Sequence, residues 1–221
     1  MRFSKFLAVI LTLVSMSLFF STAWAKKSTE SASTEEELTL VDVGLPSFDA
    51  IYAKAKTLIE SINSARDSVK DANTKLVTVL GLAEGTPLKD ALEDLKKKAE
   101  GKITVAMNGK TPTLKASDAV PQNVTDGINA VNALATACTK GIDTLTAAMG
   151  DAKALGAETI ALPPKVPAEI KSAGLKATEV PGVTKKVNSN NKVVAKLPTS
   201  MDNLVKSLQD TLNTITSVFT G

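Results

Sequence analysis

The sequence predicts an all-α protein, an elongated helical bundle of three long helices at about 47–82, 121–155 and 199–219, with shorter helices and one small β-hairpin at about 102–115. Three observations predict it. From Ser47 to Leu82 apolar residues recur at alternating three- and four-residue steps, with Phe48, Ala55, Ile62, Val69 and Leu76 in one set and Ile51, Leu58, Ala65, Ala72 and Val79 in the other. That is the seam of a helix packed lengthwise on other helices. Outside the first 25 residues the only aromatics are Phe48, Tyr52 and Phe219, so the core is built from Ala, Val, Leu and Ile, which suits closely spaced helices. Only residues 102–115 break the helical period, around an Asn-Gly turn signal.

Residues 1–25 read as an export signal. Arg2 and Lys5 precede an uncharged run that ends in the small-x-small junction Ala23-Trp24-Ala25. The chain is therefore expected outside the cytoplasm, periplasmic or secreted, with a bacterial source favoured by this compact junction. Arg2 and Lys5 leave with the signal, lowering the net charge from +3 to +1. Residues 26–44, rich in Ser, Thr and Glu, read as a disordered leader, because little in them can be buried. Residues 45–221 are expected to form a single bundle domain.

Pro46 and Ser47 open the first helix, with Ser47 as its cap and Asp49 in its first turn. Glycines at 81 and 85 close it. A second helix, Pro87 to Glu100, buries Leu88, Leu92 and Leu95, and sets Glu93 against Lys97 and Asp94 against Lys98 at four-residue spacing. Asp90, Glu93 and Asp94 share a face that could hold a cation, but the adjacent lysines point to ion pairing. Ile103, Val105 and Met107 alternate up to Asn108-Gly109, and Lys110 to Lys115 returns as an edge strand containing Pro112.

The third helix carries Val124, Ile128, Val131, Ala135, Cys138, Ile142, Leu145, Met149 and Ala152 on one stripe. Gly127, Gly141 and Gly150 each weaken it by about 1 kcal/mol relative to alanine. It is expected antiparallel to the first helix, or bent at Gly141. Prolines 163, 164 and 167 then interrupt the chain, and short helices are predicted at 168–173 and 183–197. Pro198 with Thr199 or Ser200 opens a terminal helix with the stripe Met201, Val205, Leu208, Leu212, Ile215 and Phe219.

The chemical inventory argues against an enzyme. There is no histidine, so the usual general base, the His-dependent nucleophile systems and the commonest zinc ligand are missing. No phosphate-binding loop, dinucleotide fingerprint or nucleophile elbow occurs. No catalytic, cofactor-binding or metal residue is therefore assigned. Cys138, the single thiol, falls on the apolar stripe and reads as a core residue. Beyond residue 25 the one arginine is Arg66, which does not suit nucleic-acid binding. Asn123-Val124-Thr125 is a glycosylation sequon only in a eukaryote.

Charge is segregated. Seven acids lie between Ser28 and Glu60, whereas seven lysines lie between Ala161 and Ser200 against Glu169 and Glu179 alone. The expected function is that of an exported, non-enzymatic bundle that binds a protein or envelope partner, or serves as a spacer. Two alternatives accompany it: a membrane-active or lipid-binding bundle, with an anionic surface meeting Lys165 to Lys196 or the hairpin entering a bilayer, and a periplasmic chaperone-like clamp. The first seam could also be satisfied by a second copy, as a homo-oligomer.

Overall fold

A computed structural model describes residues 38–220. The stretch expected to be an export signal, the expected leader as far as residue 37, and Gly221 lie outside the described residues. The described chain is helical apart from one hairpin, in the order α1 (Pro46–Val79), α2 (Leu88–Lys98), β1 (Ile103–Asn108), β2 (Thr111–Ala116), α3 (Gln122–Ile160), α4 (Val166–Ser172) and α5 (Val180–Thr220). With 34, 39 and 41 residues, α1, α3 and α5 each extend roughly 50–60 Å at 1.5 Å per residue.

α3 is the central member. A Cβ added at Gly127 would meet Leu80, one added at Gly141 would meet Ala65 and Leu208, and Lys54 pairs with Glu158 at 3.3 Å. As α1 ascends, its α3 partners descend, so the two helices are antiparallel. α5 is antiparallel to α3 in the same way, since Asn191 reaches Thr159 while Leu208 reaches Gly141. α3 is continuous through Gly141, where the missing side chain admits Leu208.

The α1 and α3 stripes are the buried ones, with local exceptions. Tyr52 lies deeper than Ile51, Val79 in the last turn is exposed, and Ile142 and Met149 are half-buried. α1 ends as expected, with Gly81 at φ 68° and the amide of Leu82 donating to Val77 in a Schellman closure. Its start differs from expectation. Leu45, not Ser47, is the N-cap residue, and Ser47 donates its hydroxyl to Glu169 at 2.8 Å. Asp49 takes over the turn by accepting the amides of Val43 and Gly44, both at 3.0 Å.

The largest departure is α5. The two helices expected at 183–197 and 199–219 are one helix that passes through Pro198. Proline removes the hydrogen bond to the carbonyl of residue 194 and costs about 3 kcal/mol in a helix interior. The stripe Val183, Val187, Asn190, Val194, Leu197, Met201 and Leu208 stays in three-four register across it, however. A break would turn one half of that stripe away from α3, and Val194, Leu197 and Met201, all fully buried, outweigh the lost bond.

The leader also needs correction over residues 38–44. These run extended against the bundle, with Val43 buried and Leu38 and Leu40 packed on the core. Five apolar residues in eight, counting Leu45, are enough to dock the segment once a partner surface exists.

The hairpin pairs Asn108 with Thr111 and Ile103 with Ala116. Its two loop residues are Gly109, at φ 61°, and Lys110, one position later than the Asn-Gly signal suggests; glycine first in the loop is the type II′ preference. Pro112 and Leu114 are buried toward α3, whereas Met107 is 59% exposed.

Candidate functional site

Two asparagines fasten the non-helical segments to the rod. Asn132 on α3 accepts from the amide of Leu114 (2.7 Å) and donates to its carbonyl (3.0 Å). Asn190 on α5 does the same for Val41, at 2.9 and 2.8 Å. A carboxamide presents a donor and an acceptor side by side, so it mimics a neighbouring strand and satisfies both backbone groups of one residue. The hairpin is further held by Thr111 to Thr139 at 2.9 Å and by Lys110 to Asp143 at 3.7 Å.

Next to Asn190, Asn191 donates to the Thr159 carbonyl at 2.8 Å and accepts the Tyr52 hydroxyl at 2.7 Å. Burial first, and the nearby Asp49 carboxylate second, push the Tyr52 hydroxyl up to about 12. Cys138 is fully buried on the α3 stripe, and burial pushes its thiol up to about 12. Both groups are held protonated at neutral pH, which suits packing and not proton transfer or nucleophilic attack.

Two of the three acids on the α2 face, Glu93 and Asp94, are held in ion pairs. Asp94 meets Lys98 at 2.8 Å, and Glu93 meets Lys89 at 3.6 Å rather than Lys97. Among the described residues no group of three or more His, Cys, Asp or Glu side chains could hold a metal ion. Asn123 is exposed in the first turn of α3.

The lysine-rich segment forms one end of the rod. There α3 terminates, a 3-10 turn (Pro163–Lys165) leads into α4, a second (Ala177–Glu179) leads into α5, and α1 begins. Prolines at the first positions of the first turn and of α4 start each short element, and Gly174 at φ 69° closes α4, with Leu175 donating to Ile170. The underside buries Leu162, Val166, Ile170 and Val187, while every residue from Lys171 to Glu179 is exposed.

Pairing at this end is one-sided. Glu169 accepts from Ser47, Glu158 pairs with Lys54, and Asp42 and Asp49 accept backbone amides. Lys165, Lys171, Lys176, Lys185, Lys186 and Lys192 have no ion-pair partner among the described residues. Lys185 and Lys192 flank a shallow, open depression on α5 that Pro181, Thr184, Asn188 and Ser189 complete.

Three large apolar side chains stand exposed among them: Ile160 at 76%, Val41 at 43% and Leu175 at 38%. The sequence reading missed these three and both asparagine clamps. Ile160 could have been found, because it falls one position past the buried stripe residue Thr159. So could Asn190, which occupies a stripe position.

No family model matches the chain, and neither does any curated protein or solved structure. No helix among the described residues is long and apolar enough to cross a membrane.

Proposed function

We propose that this is an exported, non-enzymatic bundle that binds a protein or envelope partner, with the lysine-rich end as its contact surface. The observation that supports this reading is the pairing imbalance there. The carboxylates of Asp42, Asp49, Glu158 and Glu169 are engaged within the fold, while six lysines and three apolar side chains face outward, with Glu179 as the one exposed acid among them that has no ion-pair partner in the described residues. A lone exposed charge means little, but an excess of six unpaired lysines over one unpaired acid, collected around apolar tips, is what an oppositely charged surface recognises. The long helices and their clamps hold that end rigidly.

Site-specific photo-crosslinking in the exporting cell tests the reading. A crosslinking residue at Leu175 is expected to form a discrete adduct, to a protein or to a lipid, that the same residue at Asn203, exposed farther along α5, does not. Equal labelling at both positions, or none at Leu175, would overturn it, as would substrate turnover by the purified protein.

A further inference from the structure

We infer that the partner of the lysine-rich end is the surface of an anionic lipid bilayer, an inference that rests on the partner-binding reading. Ile160, Val41 and Leu175 come from three separate segments, the α3 terminus, the segment before α1 and the loop after α4. Asn190 and Asn191, adjacent on α5, reach Val41 and Thr159 respectively, which brings the segment carrying Val41 and the α3 terminus carrying Ile160 to the same turn of α5. The three are discrete apolar tips at the lysine-rich end, Leu175 directly before Lys176, rather than one contiguous patch.

The composition separates lipid from protein as the partner. Protein interfaces draw most of their affinity from Trp, Tyr and Arg anchors packed into pockets. Residues 160–192 contain none of these and no phenylalanine. Lysine is itself depleted at protein interfaces, whereas an anionic bilayer surface attracts clustered lysines directly. Such a surface takes isolated aliphatic tips into the boundary beneath the headgroups, and long lysines reach the phosphates while their stems remain apolar. The depression between Lys185 and Lys192 offers a headgroup phosphate two ammonium partners, with Thr184 and Ser189 as further donors. Contact at this end sets the rod upright on the bilayer, because α1, α3 and α5 all begin or end there.

Flotation of the chain from Lys26 to Gly221 tests this, using vesicles of phosphatidylcholine alone and of phosphatidylcholine with phosphatidylglycerol. The protein is expected to float only with the anionic vesicles at about 0.1 M salt, and to be released at about 1 M, as the screening length falls from about 10 to about 3 Å. Reversing three lysines (Lys171→Glu, Lys176→Glu, Lys185→Glu) should lower the bound fraction about tenfold or more. The same reversal at Lys75, Lys97 and Lys115, exposed elsewhere, should leave it unchanged. Ile160→Ser with Leu175→Ser should lower binding severalfold at constant charge. Thermal unfolding of each variant verifies that the fold is kept, since all eight positions are exposed. Failure to float with anionic vesicles at low salt would overturn the inference, as would equal loss in the two lysine variants. A protein adduct at Leu175 without flotation would leave the partner-binding reading standing and remove the lipid.

Discussion

Replacing Gly127 and Gly150 by alanine, one at a time, should shift stability in opposite directions, although both lie inside α3 and the chemical change is identical. In a helix interior alanine is favoured over glycine by about 1 kcal/mol. At Gly150 the new methyl meets nothing within 4 Å, so the whole gain should appear. At Gly127 it would lie 2.7 Å from Leu95 Cδ1 and 3.1 Å from Leu80 Cδ2. Both leucines are buried, Leu95 completely, so neither can swing aside without disturbing the junction of α1, α2 and α3. Overpacking of this kind costs about 1–3 kcal/mol, which exceeds the propensity gain. The expected result is Gly150→Ala more stable by about 1 kcal/mol and Gly127→Ala less stable by about 1 kcal/mol. In urea unfolding followed by far-ultraviolet circular dichroism, that spread separates the midpoints by roughly 1 M at a slope of about 2 kcal/mol/M. Leu95→Val removes the obstructing methyl, so the double variant should be less destabilised than the sum of the two single ones by about 1 kcal/mol. Equal stabilisation by both glycine replacements would refute the close-approach argument, and with it the role of Gly127 in setting the distance between α3 and α2.

Asn190→Ala should destabilise by about 2 kcal/mol, because it strips both backbone groups of Val41 of their partner; hydrogen exchange at the Val41 amide should rise to the level of an unprotected strand. Tyr52 is the only tyrosine, so its absorbance titration is free of overlap: the native midpoint should lie near 12, against about 10 in denaturant. Its folded value is raised, so the stability it contributes is complete below pH 10 and is lost as pH rises from about 10 through 12; rising stability over that interval would contradict its burial. The Cys138 thiol should resist labelling by a thiol reagent at pH 8 in the native protein and react fully once denatured; fast native labelling would place it outside the core.

How much of the fold was legible follows from which interactions are local. The α1 and α3 stripes needed only residues three and four apart, and a helix that repeats such a pattern over many turns has few alternatives. Ion pairing on α2 was legible for the same reason, though Glu93 chose Lys89 over Lys97, both four residues away. The hairpin was legible because a glycine that can adopt positive φ is a one-residue signal.

The lysine-rich end was legible as a charge run, but which of its charged groups are engaged within the fold was not. Glu169 lies beside Ser47, and Glu158 beside Lys54, only because α4 and the end of α3 pack against the start of α1. The sequence by itself determined the helical class, the long central elements and the place of the hairpin, since those rest on periodicity and on glycine and proline backbone preferences. The tertiary structure alone decided three things: that α5 runs unbroken through Pro198, that residues 38–44 dock on the bundle, and that Asn190 and Asn132 serve as clamps. In each case a local penalty, a missing amide, an ordering cost or a buried carboxamide, is offset by a surface that exists only after α1, α3 and α5 have come together.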